Sequence, residues 1–134
     1  MNLDITHSEV LVKALTDNIH DSYFDKCDVL ICPPFTSLMV CNSMIKGTKM
    51  KLGAQNLHWE KDGAFTGEIS ATMLTSVGCE YVIIGHSERR QYFGETDETV
   101  NKKIKKALEN NLKPILCVGE SLQQREEGIF KGIV

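Results

Sequence analysis

Short apolar runs alternate with longer amphipathic segments along this chain, and that alternation restricts the fold more than any other feature. The runs are DVLIC (28–32), KMKLGAQN (49–56), YVII (81–84) and PILCVG (114–119). Each connection between them is long enough to hold a helix, which is the kind of crossover that parallel strands require. We therefore predict an α/β fold with a parallel sheet covered by helices.

Helical periodicity and capping residues predict the helices that lie around these strands. Their predicted starts are Thr6, Thr36, Ser70, Thr96 or Asp97, and Gln123. The first helix opens with a capping-box pattern, in which Glu9 stands at the N3 position after Thr6. Its predicted apolar face consists of Val10, Leu11, Ala14, Leu15 and Ile19. The predicted apolar face of the fourth helix consists of Val100, Ile104, Ala107 and Leu108.

Composition places the chain among soluble globular proteins. Its 134 residues carry a net charge of −3, with 25% charged and 42% apolar residues, and we expect a single domain over 1–134. The lysines at 102–103 and 105–106 are interpreted as one face and end of a helix, so the charge pattern gives no support for nucleic acid binding. No apolar run approaches the roughly 20 residues of a membrane span, and the N-terminus lacks the order of a signal peptide.

Scattered cysteines bear on the compartment in which the protein works. They are Cys27, Cys32, Cys41, Cys79 and Cys117. None of them forms a C-x-x-C pair, and the histidine spacing of a zinc site is also absent, which disfavours a metal site or a structural disulfide. We expect reduced, packed thiols in a cytoplasmic protein. The sequence also lacks the glycine-rich motifs that bind nucleotide phosphates.

Polar or turn-forming residues follow each predicted strand. They are Pro33–Pro34, Gln55–Asn56, His86–Arg90 and Gly119–Ser121. The carboxyl ends of parallel strands meet at one edge of the sheet, and in α/β proteins that edge carries the chemistry. A short sheet whose two edge strands are both unpaired is unfavourable as a complete fold, because unpaired edge strands promote association with other chains. A small doubly wound domain with frayed ends is the alternative interpretation.

The segment GHSERR (85–90) gives the sharpest functional signal. Gly85 lets the backbone turn after the strand, and 87–90 is predicted to begin a short helical turn whose N–H groups face the imidazole of His86. Such a turn places positive partial charge beside one ring nitrogen and favours the neutral imidazole. A neutral imidazole with a fixed N–H can polarise a substrate carbonyl or move protons between two oxygens. A purely structural histidine is the alternative.

The charged residues near His86 each have two interpretations. Glu88 either pairs with a neighbouring arginine or lysine, or orients a cation at the site. Arg89 and Arg90 either bind phosphate or brace loops through carboxylates. Glu95 is a natural partner for one of these arginines.

Several longer motifs, taken together, resemble the triosephosphate isomerase family. They are CPPFTSL (32–38), GAQNLHWEKDGAFTGEIS (53–70), GHSERR (85–90), GETDETVNKKIKKAL (94–108) and PILCVGE (114–120). The resemblance implies a (β/α)8 barrel that works as a homodimer without a cofactor or metal. It also implies interconversion of dihydroxyacetone phosphate and glyceraldehyde 3-phosphate through an enediol(ate), a cytoplasmic step of glycolysis and gluconeogenesis.

The resemblance also implies roles for individual residues. His86 corresponds to the electrophile, and the histidine of this family is itself a standard example of a neutral imidazole in that role. Glu88 corresponds to the acid that pairs with the family's active-site lysine, and Ser87 lies beside the resting position of the catalytic glutamate. Thr66 corresponds to the residue that reaches into the partner subunit's active site. Cys117 corresponds to a buried cysteine near the site.

By the same resemblance, the chain covers the second to fifth strands of the barrel. The family's first strand with its lysine, its sixth strand with the glutamate base, its lid and its phosphate loops have no counterpart in the motifs present. We therefore expect residues 1–134 alone to show no measurable isomerisation, because proton abstraction from carbon needs that base. We also expect marginal stability, since two strand edges are unpaired. A non-catalytic half-barrel that binds a partner through the Thr66 loop is the alternative function.

Overall fold

The structure, a computed structural model, describes residues 1–132 of the chain. Its strands form one four-stranded parallel sheet, in which neighbours in the sequence are also neighbours in space. They are β1 (Leu30–Ile31), β2 (Lys51–Ala54), β3 (Tyr81–Ile84) and β4 (Lys113–Leu116). The predicted parallel α/β fold is therefore confirmed.

Helices precede, connect and follow these strands. They are α1 (Ile5–Asn18), α2 (Leu38–Ile45), α3 (Ala71–Ser76), α4 (Ser87–Phe93), α5 (Asp97–Glu109) and α6 (Leu122–Glu126). Short 3-10 helices occur at Asp21–Tyr23, Phe35–Ser37 and Phe130–Gly132. The predicted helical turn after β3 extends into α4, so β3 and β4 are joined by two helices rather than one.

The order of the strands distinguishes a barrel segment from a doubly wound sheet. In a doubly wound sheet the strand order reverses at a switch point, so that helices cover both faces. Here the order is β1-β2-β3-β4 without a reversal. Right-handed crossovers that always step in the same direction place their helices on the same face, as in a barrel. The order therefore favours part of a (β/α)8 barrel over the doubly wound alternative.

The core lies between the sheet and the helices that cover it. Fully buried strand residues are Leu52, Ala54, Val82 and Ile84. Helices α2, α3 and α5 contribute to the same cluster Cys41, Leu74 and Ala107. This apolar layer fixes the register of the strands, so that their carboxyl ends, and the residues that follow them, lie at one edge.

The start of α1 differs from the predicted capping box. Its N-cap is Asp4, whose carboxylate accepts a hydrogen bond from the backbone N–H of His7 at 2.9 Å. The prediction of a cap at Thr6 is wrong, because Asp4 already satisfies the first free N–H groups and the helix begins at Ile5.

The buried face of α1 is also rotated from the predicted one. Only Leu15 and Ile19 of the predicted set pack against the core, whereas Val10, Leu11 and Ala14 are exposed. The buried positions on the first turns are Ser8 and Val12. The Ser8 hydroxyl donates to the Ser37 hydroxyl at 3.2 Å. Because a polar residue occupies this buried position, the spacing of apolar residues alone does not indicate the buried face of α1.

None of the helices in the described part of the chain is long and apolar enough to cross a membrane.

Candidate active site at the carboxyl ends of the strands

His86 follows β3 after a single residue, Gly85, and forms the N-cap of α4. Gly85 has a positive φ of 75°, a conformation that favours glycine, and it turns the chain out of the strand. The backbone N–H of Glu88 donates to Nδ1 of His86 at 3.3 Å. Because Nδ1 accepts this bond, the neutral ring carries its proton on Nε2. The predicted helical turn with an N–H facing the imidazole is confirmed.

A cavity of about 310 Å³ opens beside this imidazole. Its wall is formed by the residues that follow three of the strands together with α4. The residues that line it include Phe35, Gln55, Asn56, His86, Glu88 and Phe93. The side chain of His86 is 45% exposed, so its ring can meet a molecule in this space. The sheet edge thus assembles a hollow that combines one imidazole with amide and carboxylate groups.

Glu88 lies at the same cavity and remains open to solvent, with a side chain 69% exposed. Its Oε2 lies 3.8 Å from Nδ1 of His86. No arginine or lysine within 1–132 comes within ion-pair distance of Glu88. The alternative in which Glu88 pairs with a neighbouring cation of this chain is therefore wrong for the described residues, because the nearby arginines are engaged by other carboxylates.

The remaining predicted residues lie in two places. Ser87 and Cys117 line a second hollow of about 230 Å³ that also borders His86. Thr66 is exposed and lies in the loop between β2 and α3, against a separate hollow of about 200 Å³. The structure therefore brings Ser87, Glu88 and Cys117 around His86, whereas Thr66 lies apart from them. Cys117 is half-buried rather than fully buried.

The loop that carries Thr66 is braced by aromatic contacts. His58, which is 9% exposed, stacks its ring on Trp59 with 4.3 Å between ring centroids, and it meets the ring of Phe65 in a tilted arrangement with 4.5 Å between centroids. The backbone N–H of His58 donates to the Ile69 carbonyl at 2.8 Å and ties the two ends of the loop together. Phe65 is thereby fixed next to Thr66, so the exposed tip of the loop is supported from within.

A buried network that the sequence reasoning missed lies behind His86. Glu95 accepts hydrogen bonds from Lys103, from Nε of Arg89 at 2.7 Å and from the backbone N–H of Gly85 at 3.2 Å. Lys103 also donates to Oδ1 of Asn56 at 2.7 Å. The side chains of Glu95 and Lys103 are each 4% exposed. The network therefore joins α5, the end of β2 and the turn that carries His86.

The charge of Glu95 is stabilised in this network. Burial by itself raises the pKa of its carboxyl, but the hydrogen bonds from Lys103 and Arg89, and their charges, outweigh burial and hold the pKa below its ordinary value of 4.5. Glu95 is consequently an anion that is hydrogen-bonded on both oxygens. Because both oxygens already accept hydrogen bonds, this carboxylate holds its neighbours in place and has no free oxygen to act on a bound molecule.

The interpretation of the lysines as one face and end of a helix is wrong for Lys103, which is buried. Its spacing gives a signal that could have identified it, because Lys103 lies three residues after Val100 and four before Ala107, on the buried stripe of α5. A lysine on such a stripe needs a buried anion, and Glu95 is close in sequence. The expected pairing of Glu95 with an arginine is confirmed, and that arginine is Arg89.

Both arginines after His86 act as braces. Nε of Arg90 donates to the Gly85 carbonyl at 2.9 Å, and its Nη1 donates to Asp97 at 2.7 Å. Arg89 binds Glu95 and also lies over the ring of Phe93, at 4.8 Å from the centroid. Of the two interpretations, the structure supports bracing. No cluster of His, Cys, Asp and Glu side chains within 1–132 has the geometry to hold a metal ion.

A family model described as triosephosphate isomerase matches residues 1–134 of this chain. The chain belongs to the triosephosphate isomerase family. The resemblance inferred from the motifs is thereby confirmed, and the four strands of the sheet are part of the family's barrel.

Relatives from several bacteria support the same assignment. A triosephosphate isomerase of Clostridium botulinum (strain Loch Maree / Type A3) is 53% identical over 134 residues, which are 100% of this chain and 53% of the relative. That of Alkaliphilus oremlandii is 60% identical over 87% of this chain and 46% of the relative. That of Aquifex aeolicus is 64% identical over 79% of this chain and 43% of the relative. The chain spans about half the length of the curated relatives it matches.

Proposed function

We propose that this chain supplies the electrophilic half of an isomerase site that interconverts dihydroxyacetone phosphate and glyceraldehyde 3-phosphate through an enediol(ate). The observation that carries the proposal is the hydrogen bond from the Glu88 backbone N–H to Nδ1 of His86. This bond leaves the neutral ring with its proton on Nε2, next to a cavity of about 310 Å³. The proposal includes the family's place in glycolysis and gluconeogenesis, in the cytoplasm.

His86 contributes to the reaction as a hydrogen-bond donor. Isomerisation moves a proton between two adjacent carbons, and negative charge develops on the carbonyl oxygen when the first carbon loses its proton. The Nε2–H of His86 donates to that oxygen and stabilises the enediolate where the charge develops. The same ring nitrogen then passes its proton to one oxygen of the enediolate and takes one from the other. The family's glutamate base, which these residues do not supply, returns the carbon proton to the adjacent carbon, and this completes the conversion of ketose into aldose.

Glu88 and Ser87 have supporting roles in this proposal. Glu88 is exposed at the cavity, and its carboxylate lacks a cationic partner among residues 1–132. We assign it the role of pairing with a lysine that the family carries on a strand outside the matched motifs. Ser87 lies at the first position of α4 and borders the hollow on the other side of His86, where the family's catalytic glutamate rests.

The proposed assembly is a homodimer in which the Thr66 loop of each subunit enters the site of the other. The loop tip is exposed and braced from within by the stacked ring of His58. Phe93 lines the His86 cavity and is 67% exposed, and its neighbour on α4, Tyr92, is 69% exposed. Large exposed aromatic rings next to a cavity are typical of protein interfaces. They offer the surface against which a loop of a second copy packs.

Residues 1–134 by themselves are proposed to be inactive. Removing a carbon proton requires a carboxylate base aimed at the substrate, and none of the carboxylates near His86 within 1–132 meets that requirement. Glu95 is buried and hydrogen-bonded on both oxygens, and Glu120 pairs with Arg125. Glu88 lies on the Nδ1 side of the imidazole, away from the proposed donor nitrogen. The loss of a catalytic base lowers turnover by orders of magnitude.

A chimera tests the proposed function directly. Residues 1–134 replace the matched segment of the Clostridium botulinum relative, which aligns with 100% of this chain. We expect the chimera to interconvert the two triose phosphates and the 134-residue chain alone not to do so. A folded chimera without activity would contradict the isomerase assignment of these residues. It would favour the alternative of a non-catalytic module that binds through the Thr66 loop.

A further inference from the structure

Arg90 binds the peptide that links Gly85 to His86. Its Nε donates to the Gly85 carbonyl oxygen at 2.9 Å, so the side chain reaches back from α4 to the end of β3. Its Nη1 donates to Oδ1 of Asp97, at the start of α5, at 2.7 Å. The guanidinium therefore lies between the turn that carries His86 and the next helix, and is anchored at both.

The other side of the same glycine is held by Glu95. The Gly85 N–H donates to Oε2 of Glu95 at 3.2 Å, while the Gly85 carbonyl accepts from Arg90. Each of the two peptide planes that meet at Gly85 thus carries a side-chain hydrogen bond. Gly85 has a φ of 75°. Glycine can adopt many other backbone conformations, so these two hydrogen bonds are needed to hold it in this one. That conformation sets the direction in which His86 leaves the strand.

The imidazole itself is held only lightly. The side chain of His86 is 45% exposed, and the bond that orients its ring is the one from the Glu88 N–H to Nδ1 at 3.3 Å. A bond of this length lies beyond the usual range for N–H donors, so it contributes little restoring force. The orientation of the ring consequently depends on the backbone from which it projects, and that backbone is the Gly85–His86 peptide.

We propose that Arg90 is a positioning residue for His86. By fixing the Gly85 carbonyl, it keeps Nδ1 at the Glu88 N–H and leaves Nε2–H directed into the cavity. Arg90 acts through the peptide and not on the substrate, since its Nε and Nη1 are already bound to Gly85 and Asp97. The inference rests on the proposed role of His86 as a donor, because a misplaced ring matters for turnover only if the ring acts on the substrate.

Two substitutions in the chimera test the inference. Arg90→Met removes both bonds of the guanidinium. Arg90→Lys keeps the positive charge but offers a single nitrogen, which cannot hold the fork geometry of a guanidinium. Lys13→Met is the control, since Lys13 also pairs with a carboxylate, that of Asp17, but lies on α1 and hydrogen-bonds neither Gly85 nor His86. Thermal unfolding of each variant shows that it is folded at the assay temperature.

The first readout is the ¹⁵N NMR signal of the His86 ring nitrogens, identified by its disappearance in His86→Asn. The unsubstituted chimera is expected to show one tautomer, with the proton on Nε2. Both Arg90 variants should show a mixture of tautomers, and Lys13→Met should show the unsubstituted pattern. A residue that merely stabilises the fold would lower the unfolding temperature without changing these signals.

The second readout is steady-state kinetics. We expect each Arg90 variant to lose roughly 10- to 100-fold in kcat, the usual effect of misplacing a catalytic group by about 1 Å. We expect KM to change by no more than about twofold, since ground-state binding is not affected.

Folded Arg90 variants that keep the single tautomer and an unchanged kcat would overturn the inference. If Arg90→Met does not fold, Arg90→Lys decides alone by the same criteria. If the unsubstituted chimera is inactive, the proposed function fails, while the NMR readout still decides whether Arg90 positions the ring.

Discussion

Lys103 and Glu95 form a buried ion pair, and the same carboxylate accepts a hydrogen bond from the backbone N–H of Gly85, which precedes His86. Asn56 and Arg89 complete the hydrogen bonds of this pair. The turn after β3 that carries the candidate catalytic histidine is therefore hydrogen-bonded to a buried ion pair. Such a network acts as a unit, because the loss of one member leaves another buried without its partner.

The first prediction concerns this ion pair. In the chimera, Lys103→Met should lower the free energy of unfolding by about 3 kcal/mol or more, since Glu95 then keeps a buried charge without its principal partner. Lys106→Met on the same helix is the control. Lys106 pairs with the exposed Glu109, so its loss should cost less than about 1 kcal/mol. Urea unfolding followed by circular dichroism measures both, and equal losses would contradict the buried pair.

The second prediction concerns acid. The pKa of Glu95 in the folded protein lies below its ordinary value of 4.5, so the folded state favours the anion. The stabilisation is therefore complete above the unfolded pKa and is lost as the pH falls through the folded pKa. The free energy of unfolding should decrease below about pH 4.5, by at most about 1.4 kcal/mol per pH unit from this group.

Glu95→Gln supplies the comparison for the acid prediction, because it keeps the shape of the side chain and cannot lose a charge. Its free energy of unfolding should depend less steeply on pH in the acid range than that of the unsubstituted chimera. Parallel curves for the two proteins in urea titrations between neutral pH and the acid range would show that Glu95 carries no such stabilisation.

The third prediction concerns the dimer. Thr66→Arg places a charge at the exposed loop tip that we propose enters the partner's site. A charge buried in an interface without a partner should weaken dimerisation by roughly 30-fold or more. Ser43→Arg adds the same charge at an exposed position of α2 and should leave the dimer intact. Analytical ultracentrifugation distinguishes the two, and a Thr66→Arg dimer as stable as the control would exclude the loop from the interface.

The fourth prediction concerns the thiols. Burial raises the pKa of Cys32 to about 11 and that of Cys79, with a further contribution from nearby Cys32, to about 12. Cys27 is exposed. At pH 8, iodoacetamide should therefore label Cys27 first and the other two at least roughly 100-fold more slowly, because only the thiolate reacts. Peptide mass spectrometry over time gives the order, and early labelling of Cys79 would contradict its burial.

Much of the fold could be predicted because local signals agreed with one another. The apolar run at 81–84 is buried on alternate residues, and Gly85 has the positive φ that its position after the strand suggested. Of the two predicted caps of α5, Thr96 and Asp97, the structure has Thr96, whose hydroxyl accepts from the Thr99 N–H. These features depend on residues close together in the chain, and short-range physical chemistry determines them.

The features that escaped prediction depend on contacts between distant segments. Ser8 is buried because Ser37, from a later element, supplies a hydroxyl partner. Lys103 is buried because two partners accept hydrogen bonds from its ammonium group: Asn56, which follows β2, and Glu95. The residue type of Ser8 and Lys103 argues against burial, and a pattern of apolar residues contains no information about a polar partner elsewhere in the chain. The spacing places Lys103 on the buried stripe of α5 but does not identify Asn56 as its partner. Bracing through a carboxylate was one of two interpretations of Arg90, and its bond to Asp97 agrees with it. Its bond to the Gly85 carbonyl could not be inferred, because a backbone acceptor leaves no signal in the sequence.

The central claim is that His86 acts on the substrate as a hydrogen-bond donor, and the most direct measurement is turnover of triose phosphate by the chimera with His86→Asn. His7→Asn is the control, since His7 is also hydrogen-bonded at Nδ1, to Asp4, but lies on α1. The account predicts that His86→Asn lowers kcat by roughly 10²- to 10⁴-fold with a much smaller change in KM, while His7→Asn leaves kcat unchanged. An unchanged kcat in folded His86→Asn would contradict it.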